Sequence, residues 1–209
     1  MLLASASARG NDYDPLAVST KFTPQVVDLT VEDSQLQRDI PVRVYLPQAM
    51  QAAQVVMFSH GLGGSREGSS YLGKHWAARG YVAVFLQHPG SDTGVWEDES
   101  PRRRMQAMRE AASAHNFLLH VKDVPAVLNK LDQWNRTEGH VLAGRLDLRK
   151  VGMSGHSFGA VTTQAVSGQM TERGKASLTD ARIAAAVIMS PSSPRRGTPE
   201  AAFAKVSLP

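Results

Sequence analysis

Three residue groups in this chain have types and spacings that suit chemistry on a carbonyl. The first is Gly155-His156-Ser157-Phe158-Gly159, a G-x-S-x-G pentapeptide. A serine so placed sits on a sharp turn between a strand and a helix, and the turn holds its hydroxyl out at the helix N-terminus. The flanking glycines, Gly155 and Gly159, have a steric reason to be there, because strand and helix backbones pass very close at such a turn. His156 adjoins Ser157 but points wrongly to serve as its base, and is read as packing at the elbow. The second group is Ser59-His60-Gly61-Leu62-Gly63-Gly64, a glycine loop that follows an apolar run. Such a loop supplies one backbone N–H for a developing oxyanion, and the residue after the serine supplies the other. Those donors are expected to be Leu62 and Phe158, with His60 and Gly61 shaping the loop. The third group, His88 and Trp96, lies in the loop after the next apolar run and offers candidates for a substrate pocket.

A five-residue match is weak alone, since Gly and Ser are common, so the flanks carry the assignment. Val151 and Met153 form a short buried-strand run before the turn, and Ala160 to Val166 reads as a helix of small residues. Upstream, Val55 to Phe58 is continuously apolar, as a strand covered on both faces must be. The two motifs are independent and occur in the order that the chemistry requires.

These residues resemble the α/β-hydrolases grouped with dienelactone hydrolases and plasma-type platelet-activating-factor acetylhydrolase. Further matches are Gln87-His88-Pro89-Gly90-Ser91, Asp123-Val124, and Arg182 to Ala186 leading to Ser190-Pro191, so the likeness runs from about Val26 to Pro194. It implies an α/β-hydrolase fold: a mostly parallel sheet with helices on both faces, here its first six strands. It also implies an esterase working through an acyl-enzyme on Ser157.

The whole chain sets further bounds. With 209 residues and 42% hydrophobic content it makes one domain over residues 25–209, after a lead-in over 1–24. Lys and Arg number 23 against 19 Asp and Glu, and the basic residues are dispersed apart from Arg102-Arg103-Arg104, which follow Glu97-Asp98-Glu99. Nucleic acid is therefore not expected as a partner. There is no cysteine, which removes thiol nucleophiles, Cys-ligated zinc and disulfides. Neither a metal nor a cofactor is expected, and no run is long and apolar enough to span a membrane. The expected partner is a small ester or lipid. Met1 to Ala8 resembles the end of an export signal, with A-x-A at Ala6-Ser7-Ala8.

In order, the sequence predicts strands over 26–31 and 40–46 as an edge hairpin, then 55–58, a helix over 70–78 and a strand over 81–86. A loop over 88–101 follows, then helices over 103–115 and from Asp123, with Asp123 as N-cap and Pro125 in the first turn. The elbow follows, then a strand over 183–189 and a short helix over 201–206.

Ser157 also needs a histidine and a carboxylate, which in this fold follow the serine along the chain. No histidine does: His60, His75, His88, His115, His120, His140 and His156 all precede it. Glu172, Asp180 and Glu200 are the acids after it, and none sits in a matching motif. The expectation is that the chain is the front two-thirds of a hydrolase, whose last strand is left as an uncovered apolar edge. Alternatives are a non-catalytic hydrolase-fold protein and an acyltransferase using the same elbow.

Overall fold

The computed structural model describes residues 22–170, 178–193 and 197–209. The export-like start and part of the polar loop before Arg182 lie outside these residues. Six strands, β1 (Gln25–Asp33), β2 (Arg38–Leu46), β3 (Ala53–Ser59), β4 (Val82–Leu86), β5 (Leu146–His156) and β6 (Ile183–Met189), form one sheet in the order β1-β2-β4-β3-β5-β6. β1 and β2 form the expected antiparallel edge hairpin, β2 is antiparallel to β4, and β4-β3-β5-β6 are parallel.

The apolar runs are continuous because both sheet faces are covered. In β4, Val82, Val84 and Leu86 join the larger core cluster, while Ala83 and Phe85 join a smaller one with Phe58 and Tyr45. The smaller cluster packs under α1 (Ser70–Ala78). That helix covers the β2 face that carries Tyr45. Tyr45 is 2% exposed and sets its ring edge-on to Phe85 at 5.2 Å.

The other face is covered by α3 (Ala114–Arg136) and α4 (Phe158–Val166). Here the structure overturns a boundary. Asp123 does not cap a helix: α3 starts at Ser113, whose side chain accepts from the Asn116 amide, and it runs 23 residues with Pro125 inside. An interior proline costs about 3 kcal/mol. Val121, Val124, Val127, Leu128 and Leu131, all at most 5% exposed on one stripe, offset it at about 1.5–3 kcal/mol each. The remaining helices are α2 (Pro101–Ala111) and α5 (Pro199–Phe203), with a 3-10 turn at Thr93–Val95.

β6 ends the sheet, as expected, but its edge is not bare. The Ala186 N–H donates to the Pro209 carbonyl at 3.1 Å, and Leu208 packs on the core. Val187 remains 58% exposed. Parallel registers place Ser59 beside both Leu86 and Gly155, so the loops leaving β3, β4 and β5 meet at one end of the sheet.

Candidate active site

At that end β5 passes into α4 through Ser157, whose backbone has φ 54° and ψ −112°. A non-glycine residue at positive φ is strained and costs on the order of 1–3 kcal/mol. Two glycines let the strand and helix approach closely enough to impose it. A Cβ on Gly155 would collide with the Gly159 carbonyl, and one on Gly159 would collide with the carbonyl of Ser59 at the end of β3. The turn is thus wedged between its own helix and the neighbouring strand, and Ser157 is left exposed. His156 is exposed beside it, with its Nδ1 against Gly61.

The glycine loop after β3 closes over this turn. A Cβ on Gly61 would lie 3.3 Å from the Ser157 Cβ. The Gly61 carbonyl accepts from the Gly64 amide at 2.9 Å and from His60 Nδ1 at 2.7 Å. The ring proton of His60 follows from the network. Its Nε2 faces the main-chain N–H of His88 at 3.1 Å and must accept, so a neutral ring carries its proton on Nδ1. Burial lowers the His60 pKa and keeps the ring neutral, outweighing the opposing pull of Gly61, Asp92 and Asp123. Because the peptide joining Gly61 and Leu62 is planar and trans, a carbonyl anchored on one side sends the Leu62 N–H to the other.

The loop after β4 buttresses this arrangement. Ser91 O accepts from the Gly63 amide at 2.7 Å, Gly63 O accepts from Trp96 Nε1 at 2.8 Å, and Gly64 bridges to Asp92. Gly63 holds φ +71°, and a Cβ there would press on the Trp96 ring.

Behind both loops lies a polar cluster that the sequence did not disclose. His88 Nε2 meets Ser59 Oγ at 2.9 Å and His88 Nδ1 meets Asp123 Oδ2 at 2.7 Å. Arg38 Nη2 reaches the same oxygen at 3.3 Å. His88 stacks on His120 with centroids 3.7 Å apart, and His120 is bonded to Ser91 Oγ through Nε2 and to Thr162 Oγ1 through Nδ1. Burial holds the His88 and His120 pKa values well below normal, and it pushes Asp123 up to about 7 against the pull of Arg38. Each of His60, His88 and His120 therefore has both ring nitrogens engaged. The available signal was an aspartate inside an apolar helical stripe, which is costly unless partnered. Next to Pro125 it read as a cap instead.

A cavity of about 760 Å³ opens at Ser157, Leu62 and Phe158 and runs past Phe117, Val161 and Ala202. A second hollow, of about 710 Å³, lies by the start of β5 and is ringed by Arg136, Arg149 and Arg182. Each of those arginines is already paired with Asp132, Asp147 or Asp180, so that hollow offers no free charge.

No protein-family model matches the chain. It is 29% identical over 133 residues to platelet-activating factor acetylhydrolase of Cavia porcellus, an alignment covering 52% of this chain and 30% of that protein. The chain thus spans about a third of the length of that relative. A Klebsiella pneumoniae structure assigned as a dienelactone hydrolase superposes with TM-score 0.62 at 13% identity, covering 90% of this chain and 71% of that one. A ferulic acid esterase from Streptomyces cinnamoneus gives 0.55 at 18%, covering 86% and 64%. The fold is that of the α/β-hydrolases.

Within this hydrolase fold both expected pocket residues are corrected. His88 is fully buried and does not reach the cavity at Ser157, because Ser59 and Asp123 hold it inside. Trp96 does not line the cavity either. It is half-buried and braces Gly63 while carrying the Arg104 guanidinium 5.3 Å above its ring. Ser157, Leu62, Phe158, His60, Gly61, Gly155, His156 and Gly159 all come together. Among the described residues no group of His, Cys, Asp and Glu has the arrangement to hold a metal. Nor is any helix among them long and apolar enough to cross a membrane.

Proposed function

We propose that Ser157 is the nucleophile of a carboxylic-ester hydrolase, attacking the ester carbonyl to form an acyl-enzyme. The backbone amides of Leu62 and Phe158 receive the oxyanion. The observation that carries this reading is the exposed serine at positive φ, at the N-terminus of α4, against a glycine loop whose Gly61 carbonyl is anchored by His60 and Gly64. In the attack the Ser157 oxygen bonds to the carbonyl carbon, the carbonyl π pair moves to oxygen, and the hydroxyl proton passes to a base. Collapse then expels the alcohol. Phe117, Val161 and Ala202 along the cavity suit the acyl part of a small ester or a lipid.

None of the three buried histidines has a ring nitrogen to spare for that proton, so none of them is assigned as the base. The same observation favours one rival, a hydrolase fold that binds esters without turning them over. Incubation with p-nitrophenyl acetate, acid quench and peptide mass mapping separate the two. The expected result is an acetyl group on the Ser157 peptide of the wild type and none there in Ser157→Ala. Equal acetylation of both proteins, or none on Ser157, would overturn the assignment.

A further inference from the structure

Asp123 stands in the middle of α3 on the stripe that covers the sheet, fully buried among Val121, Val124 and Val127. An apolar residue there would avoid the desolvation cost of a carboxylate, so the acid's value must lie in what it holds. Its Oδ2 takes both His88 Nδ1 and Arg38 Nη2, while Oδ1 has no hydrogen-bond partner among the described residues. The side chain is committed through one oxygen to His88. Arg38 also donates to the Pro89 carbonyl at 3.0 Å, which pins the chain beside His88.

From His88 two lines of contact diverge. Its main-chain N–H fixes His60 Nε2, His60 Nδ1–H fixes the Gly61 carbonyl, and that carbonyl sets the direction of the Leu62 amide. Its ring face stacks on His120 at a 14° interplanar angle. His120 is bonded to Thr162 on α4 and sets its ring edge-on to Phe158 at 4.9 Å. One line ends at the residue that supplies the first oxyanion donor, the other at the residue that supplies the second. They meet at His88, whose ring Asp123 holds directly and whose neighbouring main chain it holds through Arg38 on the Pro89 carbonyl.

We infer that Asp123 is a positioning residue for the oxyanion hole, aligning the Leu62 and Phe158 amides relative to each other through His88. This rests on the reading that those two amides receive the oxyanion. The carboxylate makes no contact with substrate. It acts by keeping the His88 ring in one orientation, with Ser59 accommodating the far nitrogen, and by holding Arg38 on the Pro89 carbonyl that follows His88. A residue that merely fastened α3 to the sheet would change stability and leave the two amides where they are.

The test uses the full 209-residue chain. Amide resonances of Leu62 and Phe158 are followed by two-dimensional NMR, and the rate of phosphonylation by a fluorophosphonate, whose P=O occupies the oxyanion hole, is followed by mass spectrometry. In Asp123→Ala both resonances are expected to shift and phosphonylation to slow by about 10-fold, short of the 10²–10³ expected for losing a donor outright. Asp123→Asn keeps an acceptor oxygen for His88 Nδ1 and should recover most of the rate. If Asp123→Ala does not fold, Asp123→Asn and His88→Asn carry the same two readouts, with the larger loss in His88→Asn. Folded variants that leave both amides unmoved and label at the wild-type rate would overturn the inference. Labelling of Ser157→Ala at the wild-type rate would instead sink the nucleophile reading, and the NMR shifts would still decide whether Asp123 positions the loop.

Discussion

Two serines in this molecule stand in opposite circumstances. Ser59 has a histidine at 2.9 Å, with an aspartate at 2.7 Å behind it, the hydrogen-bonded order of a hydrolytic triad. Yet it is fully buried at the end of β3, with no route for substrate. Ser157 has no histidine hydrogen-bonded to it among the described residues. It has exposure, a strained backbone, a place at the N-terminus of α4 and a cavity at its side. The contrast teaches that a list of residue types is not a site. Polar partners fix a proton, whereas access and dipoles aimed at the developing charge make a nucleophile useful.

The comparison can be broken most directly by asking which serine reacts. Fluorophosphonate treatment followed by peptide mapping should place the adduct on Ser157 and never on Ser59, and Ser157→Ala should abolish it. An adduct on Ser59 would reverse the argument. Next in size is the packing beneath Ser157. Gly159→Ala drives a methyl group into the Ser59 carbonyl, and overpacking of this kind costs about 3 kcal/mol or more, readable in urea unfolding. A Gly159→Ala protein as stable as the wild type would mean that strand and helix are not so tightly apposed.

The buried cluster around Ser59 predicts an acid-labile fold. His60, His88 and His120 have folded pKa values below the ordinary 6.5, so below that pH the unfolded chain binds more protons than the folded one. Stability from this source is present above pH 6.5 and lost as pH falls. Asp123 works the other way between 3.8 and about 7, where the folded state holds the extra proton. Three histidines against one aspartate make the unfolded state the net binder of protons below pH 6.5, so stability falls with pH by up to about 1.4 kcal/mol per pH unit for each net proton. Urea titrations from pH 5 to 8 read this slope, and His120→Asn should flatten it by about one proton. A flat profile would show that the cluster is not buried in its neutral form.

The smallest effect concerns the brace on the glycine loop. Trp96→Phe keeps the ring but removes the donor to the Gly63 carbonyl, at a cost of about 1 kcal/mol and about 2–4 °C in Tm. A scanning calorimeter resolves that difference.

What the sequence disclosed and what it did not divide along the same line. The elbow and the glycine loop are local, since their turn chemistry is written within a few residues. Strand β6 over 183–189 and helix α1 over 70–78 were legible for the same reason, each with its own pattern and end signals. The buried cluster was not legible, because Arg38, Ser59, His88, the pair His120 and Asp123, and Thr162 come from five separate places in the chain. Asp123 was misread because Asp followed by Val-Pro has the grammar of a helix start. Tertiary partners reversed that reading. Trp96 and His88 were placed in the correct loop, but its side chains turn inward to brace Gly63 and to meet Ser59 and Asp123.

The crossing of β5, α4 and β3 at Gly155 and Gly159 bears on how such a chain can drift under mutation. These glycines answer to packing, for any side chain would strike a neighbouring backbone. A descendant could exchange Ser157 and yet remain bound to keep both glycines in order to fold. The glycine frame of the motif is therefore a record of architecture, and the serine within it is the letter that packing does not dictate.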